Sequence, residues 1–300
     1  MNFLVEASGS LTSGYLISSI QNAGFKVFAS DINEDVFGKY LANGFVKMPK
    51  ISEENSWEET VKLVHENNIQ VVIPSLDETL LKWSENKELF LKSNINVIIS
   101  QKSTLEICQD KWKTYLFFRD NNIPTPRTSL DSRYQLVKPR AGRGSSGIFI
   151  RGENDDINMQ GNISQELISG TEYTVDVFCD FKNKPVYIVP RKRLAVKEGK
   201  STNGVVVQHQ EIEKYVRDIC SAIPFIGAIN IQCFEDDKKN LKFIEINPRI
   251  AGGMALGFAA TENWISLMVS NLINKKPIVP LDVKYGLKMM RYYNEVFTFE

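Results

Sequence analysis

The chain has 300 residues, 43% of them apolar, with 36 Lys plus Arg against 36 Asp plus Glu. That length supplies two or three packed units, and zero net charge leaves no bulk field to favour nucleic acid or an anionic membrane, so any anion binding is local. No apolar run approaches the roughly 20 residues of a membrane span, and Met1 to Glu6 carries no basic leader, so neither a membrane anchor nor a targeting signal is expected.

In chain order, an apolar strand at 3–7 is followed by a Gly/Ser turn at 8–14, a helix at 15–23 and a second strand at 26–29. A weakly structured stretch at 31–44 leads to Phe45-Val46, a helix at 56–67, a strand at 71–74, a helix from Leu76 to about Leu91 and a strand at 96–99. This alternation predicts a doubly wound α/β unit with a parallel sheet. Its opening turn, Gly9-x4-Gly14, with Asp31 at the end of the second strand, has the outline of a dinucleotide site, but it is one glycine short of GxGxxG. A tight βα turn explains it as well, so an NAD-dependent oxidoreductase is a distant alternative. A helix at 103–121 then leads to Pro124-Thr125-Pro126, beyond which short strands pair locally in an α+β arrangement. The four cysteines, at 108, 179, 220 and 233, lack CxxC or zinc spacing and read as reduced core thiols of a cytoplasmic protein.

Three segments carry chemistry. In the first, strands at 135–138 and 147–150 flank a loop with Gly142, Gly144 and Gly147 interleaved with Arg140, Arg143, Ser145 and Ser146. Three glycines exceed what a hairpin needs and make a backbone N–H cradle for phosphate. Lys138 ends an otherwise apolar strand, where a lysine calls for an anionic partner. In the second, Ser164 to Phe178, a Ser-Gly turn precedes an alternating strand that places Glu172, Thr174 and Asp176 on one face. In the third, Asn230 to Phe234 and Phe243 to Asn247 read as antiparallel strands presenting Gln232, Glu245 and Asn247. Such hard oxygen donors suit a divalent cation, magnesium or manganese, and Arg249 adds positive charge beside it.

Taken in order, Lys111, Val-Lys138-Pro, the glycine loop, Gln165-Glu166-x-Ile168-x-Gly-x-Glu172-Tyr-Thr-Val-Asp and Gln232-x12-Glu245-x-Asn247-Pro-Arg249 resemble the ATP-grasp superfamily, in its carbamoyl-phosphate-synthase-like branch. The resemblance implies an N-terminal pre-ATP-grasp domain over 1–101, a linker helix and small subdomain over 102–168, and a large subdomain over 169–300. By the same resemblance, Lys111 and Lys138 contact nucleotide phosphates beneath a lid at Gly142, Gly144, Ser145, Ser146 and Gly147. Gln165, Glu166, Leu167 and Ile168 present the adenine edge, and Glu172 holds the ribose. Gln232, Glu245 and Asn247 hold magnesium, and Arg249 faces the γ-phosphate.

The implied activity is that of an ADP-forming ligase, in which MgATP phosphorylates a substrate carboxylate and an amine or thiol displaces the phosphate. The implied substrates are small carboxylates and amines, an amino acid or peptide among them, with a homodimer as one possible assembly. Arg193 and His209 are the candidates for substrate contact. Ser75, Asp77 and Glu78 follow the C-terminus of the fourth strand, where a ligand such as the amine is placed, but Ser75 and Glu78 read better as a capping box on the next helix. A non-catalytic ATP-binding subunit is the alternative from another class.

Overall fold

The computed structural model describes residues 1–300 apart from 143–145, 153–156, 198–199, 293 and 300, and only the backbone at 196–197 and 200–201. The first unit is a five-stranded parallel sheet in the order β3-β2-β1-β4-β5. Its strands are β1 (Asn2–Val5), β2 (Lys26–Asp31), β3 (Gly44–Lys47), β4 (Val71–Ile73) and β5 (Asn96–Val97). Phe3, Leu4 and Val5 are wholly buried, as a central parallel strand covered on both faces requires. The crossover helices are α1 (Ser13–Asn22), α2 (Phe37–Leu41), α3 (Ser56–Glu66) and α4 (Leu80–Lys92).

Two local expectations change here. The stretch at 31–44 contains the short helix α2, seated where Gly38 approaches the Ser8 carbonyl so closely that a Cβ would lie 2.5 Å from it. The helix after β4 starts at Leu80, not Leu76, because the Ser75 amide donates to Glu6 Oε2 at 2.9 Å and the Ser75 hydroxyl to the Glu6 carbonyl at 3.1 Å. Ser75 is therefore part of the β4 exit and not a cap.

The expected linker helix is two helices, α5 (Lys102–Cys108) and α6 (Lys111–Asp120). Asp110 separates them: its carboxylate accepts from the Trp112 and Lys113 amides, the capping geometry that favours a fresh start over continuation. Beyond them a four-stranded antiparallel sheet has the order β6-β9-β7-β8. It comprises β6 (Thr128–Ser129), β7 (Leu136–Pro139), β8 (Phe149–Ile150) and β9 (Asn162–Gln165).

A six-stranded antiparallel sheet follows in the order β14-β13-β10-β11-β12-β15. Its strands are β10 (Gly170–Cys179), β11 (Pro185–Lys197), β12 (Lys200–Val206), β13 (Gly227–Asp236), β14 (Leu241–Asn247) and β15 (Lys288–Met290). Helix α7 (Gln210–Ala222) packs its buried Ile212, Val216 and Ile219 into the same core as Val175, Val177 and Ile231. Helices α8 (Ala255–Ala260) and α9 (Trp264–Leu267), with a π-helical turn at Met268–Ile273, cover the other side. There Trp264 and Met254 share one core with Phe3, Leu16 and Ile20 of the first unit. All four cysteine thiols are buried and unbridged. No described helix is long and apolar enough to cross a membrane.

Candidate functional site

The six-stranded sheet sets the site by register. Arg191 on β11 stands opposite Thr174 on β10, Thr174 opposite Gln232 on β13, and Gln232 opposite Glu245 on β14. Two residues along, Asp176 pairs with Asn230 and Asn230 with Asn247. Side chains alternate along a strand, so these two rows lie on one face, and a cavity of about 800 Å³ opens over them. Lys111, Lys138, Glu172, Gln232, Glu245 and Arg249 all line it.

Under this floor lies a closed ion pair. Asp176 and Arg191 are 0% and 1% exposed. The Arg191 Nε and Nη2 donate to Asp176 at 2.6 and 2.8 Å, and Asn230 Nδ2 donates to the same carboxylate at 2.8 Å. Helix α8 presses on it through Gly257, where a Cβ would come within 2.7 Å of Asp176 Oδ2.

The small sheet supplies the opposite wall. Lys138 is 5% exposed and donates from Nζ to Gln165 Oε1 at 2.8 Å. Burial pushes its ammonium down to about 8, against the pull of Glu245 and with the help of Lys111. Lys111, the first residue of α6, donates from Nζ to the Gly142 carbonyl at 2.8 Å, and its amide to the Arg140 carbonyl at 2.9 Å. The base of the glycine loop is thus pinned to the N-terminus of α6. Gly142, Ser146, Gln165, Glu166, Leu167 and Ile168 line the cavity as well.

The N-terminal unit closes the third side with Ala7, Ser10, Thr12 and Ser75. It also grips Arg249, whose Nε and Nη2 donate to Asp77 at 2.7 and 2.5 Å, with Asn247 Oδ1 at 3.3 Å from Nη2. Burial works against the charge, but Asp77 and then Glu245 hold the guanidinium above its usual range. The outline of a dinucleotide site dissolves here, because the Gly9 amide donates to Asp31 Oδ2 at 3.0 Å. The carboxylate that would take a ribose hydroxyl is spent on its own loop.

Residues 159–294 match the family model described as "ATP-grasp in the biosynthetic pathway with Ter operon", and residues 7–98 match "PylC-like, N-terminal domain". The chain carries an ATP-grasp domain behind a PylC-like N-terminal domain. Among solved structures it resembles Staphylococcus aureus N5-carboxyaminoimidazole synthetase complexed with ADP, at 16% identity and a TM-score of 0.75, over 97% of this chain and 82% of the other. It also resembles Bacillus licheniformis L-amino acid ligase, at 17% identity and a TM-score of 0.72, over 94% and 75%. Rhizobium etli pyruvate carboxylase gives 15% identity and a TM-score of 0.71 over 87% of this chain, which spans only 27% of that larger protein. Curated proteins give no sequence match.

Within the ATP-grasp domain the two residues expected to contact substrate part ways. His209 is the N-cap of α7: its Nδ1 accepts from the Ile212 amide at 3.3 Å and its Nε2 lies 3.5 Å from Glu235, away from the cavity lining. It does not continue a strand, because β12 ends at Val206. Arg193 does line the cavity, but it is ion-paired with Glu172, the expected ribose carboxylate. Burial raises the Glu172 carboxyl above its usual range despite that partner, and Glu245 adds to the rise. Gly147 is absent from the lining and sits at φ +71° against Pro139, closing the β7–β8 hairpin. Gly144 and Ser145 fall outside the described residues.

Sequence reasoning missed Arg191 and Asn230 as site residues, both of which line the cavity. β11 runs from Pro185 to Lys197 and so carries Arg191 as a strand residue beside Thr174. The alternation that puts Thr174 and Asp176 on one face was legible; the full length of β11, which carries Arg191 beside them, was not.

Proposed function

We propose that the chain is an ADP-forming ligase that phosphorylates a small-molecule carboxylate with MgATP and passes the acyl group to an amine. The observation that carries this is the state of Glu245. Its carboxylate lies in the electrostatic reach of both Lys138 and Arg249, and among the described residues neither it nor the Gln232 amide makes a hydrogen bond. Polar groups facing a cavity without partners are poised for a ligand. Gln232, Glu245 and Asn247 offer one carboxylate and two amide oxygens on adjacent strands, a hard donor set that fits magnesium or manganese. Among the described residues, no group of three or more His, Cys, Asp or Glu gathers into an alternative metal site.

The bound cation would supply neutralisation of phosphate charge at this floor. Lys138 and Lys111 bind and orient the phosphates beneath the β7–β8 loop. Gln165 to Ile168, at the end of β9, offer backbone to the base, and Glu172 is the acceptor for the ribose once Arg193 shares it. Arg249, fixed by Asp77, faces the transferring group. The substrate carboxylate oxygen attacks the γ-phosphorus, the bond to ADP breaks, and the amine then displaces phosphate from the acyl carbon. Positioning and charge compensation suffice, with no side-chain nucleophile. The division at 101 and 168 belongs to this reading. The parallel sheet ends with β5, the small sheet lies within 128–165, and the large sheet opens at Gly170.

The test is release of ADP and phosphate by the purified protein with a pool of amino acids and other small carboxylates. Glu245→Ala should reduce it by about two to three orders of magnitude, as loss of a charge-stabilising group does. ADP release untouched by that substitution would sink the ligase reading.

A further inference from the structure

The acceptor end of the site is marked by two guanidinium groups. Arg191 is rooted two strands from Gln232 along one row of the site face, a separation of roughly 10 Å at ordinary strand spacing. Two of its nitrogens are taken by Asp176, but Nη1 is buried with no hydrogen-bond partner among the described residues, in a side chain that lines the cavity. Only a glycine lies over it, since a Cβ at Gly253 would come within 2.9 Å of Nη1. Gly252 in turn faces Thr12 of the N-terminal unit, with a Cβ placed 3.6 Å from Thr12 Oγ1.

Arg291, just after β15, completes the picture. Its Nη1 donates to the Leu11 carbonyl at 3.0 Å, beside the Ser10 and Thr12 side of the cavity. Among the described residues its Nη2 is buried without a hydrogen-bond partner and no carboxylate pairs with it. Burial lowers its affinity for its own proton, Tyr15 works against this, and Arg191 adds to it. Asp176 neutralises one of these two cations; the second has no counter-ion among the described residues. A buried charged donor left unsatisfied is more costly than a neutral one, and an anion would relieve both.

We propose that Arg191, with Arg291 beside it, forms a second anion subsite between the Ser10–Thr12 turn and Gly252–Gly253, which takes the carboxylate of the amine-bearing substrate and makes that substrate an amino acid. The nucleotide phosphates have separate cations, Lys111 and Lys138, on the small-sheet side. A carboxylate on Arg191 places its neighbouring amine toward the metal row and Arg249, where the acyl phosphate would form. The proposal rests on the ligase reading and names the acceptor for it.

The full chain, saturated with MgADP, is titrated calorimetrically with each of the proteinogenic amino acids, and each that binds is repeated as its carboxamide. At least one amino acid should bind, with its carboxamide weaker by about tenfold or more, the usual penalty for losing a charge-assisted pair. Arg291→Gln should weaken the amino acid by a similar factor while MgADP binds as before, which also shows that the variant is folded; Arg291→Lys should recover part of the loss. Equal binding of acid and carboxamide, or unchanged amino-acid affinity in Arg291→Gln, overturns the proposal. So does a loss of MgADP affinity in that variant, which assigns the arginines to nucleotide phosphate, and so does the absence of any amino-acid binding. Failure of the unaltered chain to bind MgADP overturns the ligase reading itself.

Discussion

Lys138 combines burial, a neutral hydrogen-bond partner in Gln165 and a carboxylate, Glu245, that acts on it only through space. Its folded-state proton affinity, at about 8, lies below the ordinary lysine value of 10.5. Between these two values the unfolded chain holds more protons, so this group makes stability rise with pH across that window. Phosphate beside the ammonium restores the proton. Binding of MgADP at about pH 8.5 should therefore take up protons, seen as a calorimetric enthalpy that varies with the buffer's ionisation heat. Lys138→Met should remove that dependence; an enthalpy independent of buffer in the unaltered chain would show that Lys138 does not meet phosphate. That a lysine ends an apolar strand was plain from the sequence. That Glu172 already holds Arg193 was not, since the two residues are joined only by the pairing of β10 with β11.

Among the elements, β10 is the keystone, pairing with β13 on one side and β11 on the other. It carries Glu172 and Thr174 to the cavity and Asp176 to the sealed pair with Arg191. Truncating one member of a buried ion pair leaves an uncompensated charge, so Asp176→Ala should cost about 3–5 kcal/mol in urea unfolding. A loss below about 1 kcal/mol would mean that Asp176 is not the counter-ion that holds Arg191 in place. The strands were legible from alternation and the metal row from Glu245-x-Asn247, because oxygen donors on an apolar strand stand out. The helix boundaries at Asp110 and Thr79 were less so. The first is set by Asp110 capping the Trp112 and Lys113 amides inside a continuous helical run, and the second by Glu6 reaching Ser75 from a distant segment, which no local pattern contains.

For the whole molecule, the N-terminal unit and the large sheet share one core, in which Phe3, Leu16 and Ile20 pack with Met254, Trp264 and Ile265. Tyr15 adds a hydrogen bond to the Ala251 carbonyl at 3.0 Å and Asn263 one to the Ser19 carbonyl at 2.8 Å. These two units should unfold together. Leu16→Ala should remove about 2–5 kcal/mol, and the loss should appear equally in the slow-exchanging amides of β1 and of β10; loss confined to β1 would show two independent units. The alternation of strands and helices announced two architectures, but not that one core would join them, because a core is a property of faces brought together and not of any segment.

The small sheet stands outside that joint core and holds Lys138, while the shared block holds Glu245 and Arg249. Each side turns its charged groups toward the gap, so what would be interior in a finished fold is left as two wet surfaces. A nucleotide lying between them behaves as a removable piece of the protein's own interior. On this view MgADP should slow amide exchange in β7 and β9 far more than in β10 or β13, which are already closed without it. Uniform slowing across both sheets would mean that the ligand tightens a single body. Product release would then be a partial unfolding, and the turnover of such a protein would be set by how readily it can lose a part of its core.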